Sequence, residues 1–239
     1  MKVKYTEGKK RWWLNLVILS TLMISLLFYG GCEQLGTGPA NASSVFDVEY
    51  DYMSGCDLFP SGESFALSRF NQCGTSLLVT FDEQNLSATA LDFFSIPTFM
   101  KNHAQQKQTG GPLFGTQLLG MVDALNPPVP SYFLTGVTFY PDSTYAAYRS
   151  AVFVQAIQNL GGNVESMREK TVIHELGHAR GLLHSCVKLP AGWVQLTGHD
   201  APGCVMCIGR IDSCSSPVVD VTANPQFCPA DCGRLKKVK

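Results

Sequence analysis

The sequence predicts an α+β domain, and three observations carry that reading. Short apolar or alternating runs bounded by Pro, Gly and Asp recur through the N-terminal half, as strands do. One longer segment, from Ser166 to about Arg180, has a helix-start signal and a glycine stop. Six cysteines follow it, so an irregular, cross-linked C-terminal part is expected. The expected order is a mostly β N-terminal part, one central helix and a cysteine-rich tail.

The chain starts with Lys2, Lys4, Lys9, Lys10 and Arg11 against a single Glu7, followed by an apolar run from Trp12 to Tyr29. A basic segment followed by an apolar one is the layout of a secretory signal, here residues 1–31. The run ends in Tyr29-Gly30-Gly31-Cys32, which resembles a bacterial lipobox, so lipidation at Cys32 is expected. Tyr29 departs from that pattern, where an aliphatic residue is usual. An uncleaved signal anchor and plain secretion are the alternatives, since about 18 apolar residues can just span a bilayer. All three readings place the domain outside the cytoplasm, with lipid anchoring in a bacterial cell envelope preferred.

Residues 32–44 carry Gly, Ala, Ser and Asn without a hydrophobic period and read as a flexible tether. Ser44 to Met53 alternates and predicts a strand, as does Ser76 to Asp82. Leu91 to Leu125 is ambiguous, with Phe114 to Leu125 read as helical and ended by Pro127-Pro128-Val129-Pro130. Tyr132 to Tyr140 is the clearest strand, bounded by Pro130 and Pro141. Ser150 to Ile157 is a fourth, closed by Gly161-Gly162. Ser166-Met167-Arg168-Glu169 reads as a capping box, and Gly181 stands where a left-handed residue ends a helix. No internal repeat is visible.

Residues 174–184 read His-Glu-Leu-Gly-His-Ala-Arg-Gly-Leu-Leu-His. On a helix His174 and His178 are i and i+4, so both imidazoles can reach one ion. Gly181 lets the chain turn, and His184 can return as a third nitrogen ligand. Three protein ligands leave a fourth position for water, the pattern of catalytic Zn2+. Glu175 is placed to take a proton from that water and pass it to a leaving amine.

This run resembles the extended zinc signature of the metzincin clan of metallopeptidases. The resemblance implies a zinc-dependent endopeptidase domain over residues 45–239 with a peptide or protein as substrate. It also implies a methionine turn beneath the metal, for which Met206 in Cys204-Val205-Met206 is the candidate. The Cys-x-Met is similar to the adamalysin and archaemetzincin branches, while Ser185 after the third histidine is more matrixin-like. An archaemetzincin would place a cysteine directly after the third histidine; here Ser185 intervenes before Cys186, and its distal Cys-x-x-Cys is only echoed by Cys228 and Cys232. No tyrosine follows Tyr148, so the tyrosine after the turn in some branches is missing. The resemblance further implies that the strand at Ser150 to Ile157 is a sheet edge open to an extended substrate. The competing reading is an inactive, metal-retaining binding or adhesion module of the envelope. Glu175 argues against it, because a module that only binds zinc has no use for that carboxylate.

Nine cysteines suit an oxidising compartment. Apart from Cys32, the disulfide candidates are Cys56, Cys73, Cys186, Cys204, Cys207, Cys214, Cys228 and Cys232, with Cys56–Cys73 the expected N-terminal pair. A second zinc held by four of the six downstream cysteines, or free thiols, are the other readings. His103 and His199 read as surface or loop histidines, with Trp193 and His199-Asp200 as candidate substrate contacts. Setting aside residues 1–31, with five basic residues and one acid, leaves 13 Lys and Arg against 18 Asp and Glu, a net of −5. An acidic domain gives no electrostatic footprint for nucleic acid.

Overall fold

A computed structural model describes residues 45–104, 115–126, 134–143, 145–184, 186–189, 192–195, 204–210 and 226–235. The chain divides at residue 41, and the described residues all belong to the unit Ala42–Lys239. The signal, Cys32 and tether readings lie outside them. No helix among the described residues is long and apolar enough to cross a membrane.

The elements in chain order are β1 (Val45–Tyr52), α1 (Ser64–Gln72), β2 (Ser76–Phe81), β3 (Leu91–Asp92), α2 (Ile96–His103), β4 (Thr116–Met121), β5 (Ala124–Leu125) and β6 (Gly136–Phe139). They continue with β7 (Tyr148–Phe153), α3 (Val154–Leu160), α4 (Val164–Ala179), β8 (Cys186–Leu189), β9 (Gly192–Gln195), β10 (Cys207–Arg210) and α5 (Pro229–Leu235). This is a mixed α and β domain, rich in strands before the long helix. Five strands form one sheet in the order β2-β1-β4-β7-β6, parallel except for β6, which runs antiparallel to β7. Strands β10, β8 and β9 form a second, smaller sheet.

Register and alternation divide the sheet into two faces. Val48, Tyr50, Leu118, Ser150, Val152, Gly136 and Thr138 share one, because Tyr50 pairs with Leu118, Leu118 with Ser150, and Ser150 with Thr138. Helix α4 packs on this face against β6 and β7 and also touches α1 and α3. Ten of its 16 residues are buried, so it is a core helix rather than a surface one. The opposite face carries a buried polar row, Glu49, Gln117 and Arg149, at one level of three adjacent strands. Gln117 Nε2 donates to Glu49 Oε1 at 3.1 Å and to the Met100 carbonyl at 2.9 Å, which satisfies part of that row.

Several expectations need correction. The helix expected over Phe114 to Leu125 does not form among its described residues, 115–125: Thr116–Met121 is central strand β4, buried at all six positions. A strand covered on both faces shows a continuous apolar run, which periodicity cannot separate from a buried helix. The expected strand at Ser150 to Ile157 splits, with β7 ending at Phe153 and Val154 starting α3. It is not an edge either, since β7 lies between β4 and β6. The capping box at Ser166 does not form. Asn163 caps α4 instead, its Oδ1 accepting from the Ser166 N–H at 3.0 Å. Cys73 pairs with Cys232, not with Cys56, because the end of α1 faces α5. Cys207 is disulfide-bonded as well, while Cys56, Cys204 and Cys228 are free thiols. Cys214 and the side chain of Cys186 lie outside the described residues.

Candidate metal centre

Helix α4 carries His174 and His178 one turn apart, and its C-terminus brings His184 back to them. The reversal is a Schellman motif: the Leu182 N–H donates to the Gly177 carbonyl at 3.0 Å and the Gly181 N–H to the His178 carbonyl at 2.8 Å. Gly181 sits at φ +78°, a conformation that costs a side-chain-bearing residue strain. The three Nε2 atoms then converge, at 3.1 Å for His174–His178, 3.0 Å for His178–His184 and 3.1 Å for His184–His174.

The opposite ring nitrogens fix the protonation pattern. His174 Nδ1–H donates to the Val205 carbonyl at 2.7 Å, and His178 Nδ1–H donates to the Leu182 carbonyl at 2.7 Å. A nitrogen facing a carbonyl must carry the proton, so each Nε2 presents a lone pair to its neighbours. Lone pairs packed this closely repel unless a cation lies between them. A carbonyl behind each ring is also how metal-binding imidazoles are oriented. Burial, with His178 adding, lowers the pKa of His174 to about 3. Burial likewise lowers His178, and burial with both neighbouring imidazoles holds His184 well below the usual range. All three are therefore neutral, the form that ligates.

Glu175 is buried beside them, and burial pushes its carboxyl up to about 8 against the opposing hydrogen bond from Thr138. Thr138 Oγ1 donates to Glu175 Oε2 at 2.7 Å and lies 2.9 Å from Ser150 Oγ. Gly136, on the same face of β6, makes the room: a Cβ there would stand 2.8 Å from Glu175 Cγ and 2.9 Å from its Oε1.

Beneath the histidines, Cys204 to Cys207 form a turn closed by the Cys207 N–H donating to the Cys204 carbonyl at 3.0 Å. Val205, whose carbonyl holds His174, and the fully buried Met206 occupy its centre. Gly177 explains itself here. A helix-interior glycine costs about 1 kcal/mol, but a Cβ at 177 would lie 2.5 Å from Met206 Sδ and 3.2 Å from Phe227 Cε1. Two further groups could approach an ion among the described residues: Cys204, Cys228 and Asp231, and Glu49, Asp51 and Asp82.

The structure thus brings together His174, Glu175, His178, His184 and Met206. His103 stands apart, at the end of α2, paired with Glu83. His199, Asp200 and the side chain of Trp193 lie outside the described residues. Sequence reading missed Gly136, Thr138 and Ser150, and the two carbonyls behind the rings. A glycine inside the otherwise β-forming run Leu134-Thr135-Gly136-Val137-Thr138 was an available sign of close approach.

No protein-family profile matches the chain, and no curated protein sequence matches it. Among solved structures it is similar to archaemetzincin from Methanopyrus kandleri, with 15% identity and a TM-score of 0.49 over 83% of this chain and 97% of that one. It is also similar to metalloproteinase-II from Bacteroides fragilis, with 9% identity and a TM-score of 0.47 over 84% of this chain. The alignment spans 55% of that protein's length.

Proposed function

We propose that the protein is a zinc-dependent endopeptidase in which His174, His178 and His184 hold the ion and Glu175 is the general base. One observation carries this reading: three imidazole nitrogens within 3.1 Å of one another, beside the buried carboxyl group of Glu175 on the same helical turn. Three neutral nitrogen donors suit zinc and leave a coordination position open. A zinc ion there would polarise the scissile carbonyl and make water acidic enough to attack near neutral pH. Glu175 would take the proton from the attacking water and deliver it to the amine nitrogen as the C–N bond breaks. Met206 would floor the site, with Gly177 giving it space. The edge open to an extended peptide would be β6, whose outer side lacks a partner strand among the described residues. The test is elemental analysis of the purified protein. One zinc per chain is expected, and His184→Ala should lose most of it. Full occupancy in that variant would overturn the ligand set.

The same reading places the catalytic unit at residues 45–239, behind a signal peptide at 1–31 and a tether lipidated on Cys32. It would then work in a bacterial cell envelope, lipid-anchored and facing outside the cytoplasm. Labelled fatty acid should enter the protein in a bacterial host and be absent from Cys32→Ser. An unlabelled protein that stays with the membrane would instead support a signal anchor.

A further inference from the structure

We infer that Thr138 is a positioning residue for Glu175, its hydroxyl engaging one carboxylate oxygen so that the other is left to receive a proton. The inference rests on the peptidase reading above and adds a residue to it.

The proton inventory supports the assignment. Thr138 Oγ1 lies 2.7 Å from Glu175 Oε2, 3.0 Å from the Glu175 carbonyl and 2.9 Å from Ser150 Oγ, and it has one proton to give. The shortest contact is to the Glu175 side chain, which in the ionised form a general base needs is the strongest acceptor of the three. Ser150, fully buried, has its own proton and two choices, Thr138 Oγ1 or the Glu175 carbonyl at 3.4 Å. The closer choice completes an ordered chain in which Ser150 donates to Thr138 and Thr138 to Glu175. A donated bond at the hydroxyl oxygen strengthens the bond it donates in turn.

The arrangement follows from register rather than from one chance contact. Thr138 and Ser150 are directly opposed in the antiparallel β6–β7 pair, on the face that α4 covers. Gly136 shares that face two residues earlier and leaves space for Glu175 Cγ and Oε1. Two alternate positions on one face of β6 therefore act on the same side chain in opposite ways, one clearing room and one supplying a donor. Packing alone does not require the hydroxyl, because valine has the same shape and favours strands at least as well.

The experiment compares wild type, Thr138→Val and Thr138→Ser for peptide hydrolysis, zinc content and crystal structure. Thr138→Val should lower kcat by about 10- to 100-fold, the scale of one hydrogen bond to a charged group, with KM and zinc content unchanged. Thr138→Ser, which keeps the donor, should recover most of the rate. An unchanged kcat in Thr138→Val, a serine variant as slow as the valine one, or loss of zinc would each overturn the inference. If wild type cleaves no peptide, the peptidase reading fails on its own, and the crystal structures decide the positioning role. A Glu175 carboxylate displaced in Thr138→Val but not in Thr138→Ser supports it; an unmoved carboxylate overturns it.

Discussion

Glu175 and the three histidines are driven in opposite directions by the same burial, and this makes the centre's stability depend on pH from two sides. The folded imidazoles titrate below their unfolded value of 6.5, His174 at about 3. As pH falls through 6.5 the unfolded chain binds protons that the folded chain refuses, so stability is lost towards acid. Each histidine contributes at most about 1.4 kcal/mol per pH unit. Glu175 does the reverse. Its folded pKa of about 8 lies above its ordinary value of 4.5, so its contribution is present in acid and is lost as pH rises from 4.5 through 8. Asp51, held at about 8 mainly by burial, acts in the same sense. Chelator-treated protein should therefore show its highest thermal midpoint at about pH 6, falling on both sides. A midpoint that climbs steadily from pH 5 to pH 8 would contradict these environments.

Local chemistry explains which elements the sequence revealed. Helix α4 was legible because His174, His178 and Gly181 fall at helical spacing and a glycine stop, and the Schellman reversal at Gly181 is what returns His184. Its start was misread, since Ser166 and Glu169 match a capping box while Asn163, three residues earlier, captures the Ser166 N–H. Strand β6 stood out between its flanking prolines, yet its place at the sheet edge did not. Strand order depends on which crossovers pack together, and no single stretch encodes that. Strand β4 looked helical because burial on both faces erased its alternation. Helix α1 went unread, since only Ala66 and Phe70 of its nine residues are buried and its polar majority gives little period. The motif residues of the site were visible; Thr138 and Ser150 were not, because only the β6–β7 register places them under Glu175.

Across the whole domain, the floor of the site depends on contacts between distant parts of the chain. Cys73 and Cys232, 159 residues apart, tie the end of α1 to α5, and Phe70 packs edge-on against Phe227 with ring centroids 5.0 Å apart. The Val205 N–H donates to the Gln226 carbonyl at 2.9 Å, so the turn that holds His174 leans on the same C-terminal segment. Pairing at such range was beyond sequence reading, since eight cysteines allow many connectivities. This framework should tolerate a change confined to the Glu175 carboxylate, which makes Glu175→Gln the most direct test of the central claim. Glutamine keeps the side chain's size but cannot take a proton from water. With wild type and variant assayed on one peptide library, the account predicts a loss in kcat on the order of 10²–10⁴, with zinc content and far-ultraviolet circular dichroism unchanged. Cleavage by Glu175→Gln as fast as by wild type would contradict it.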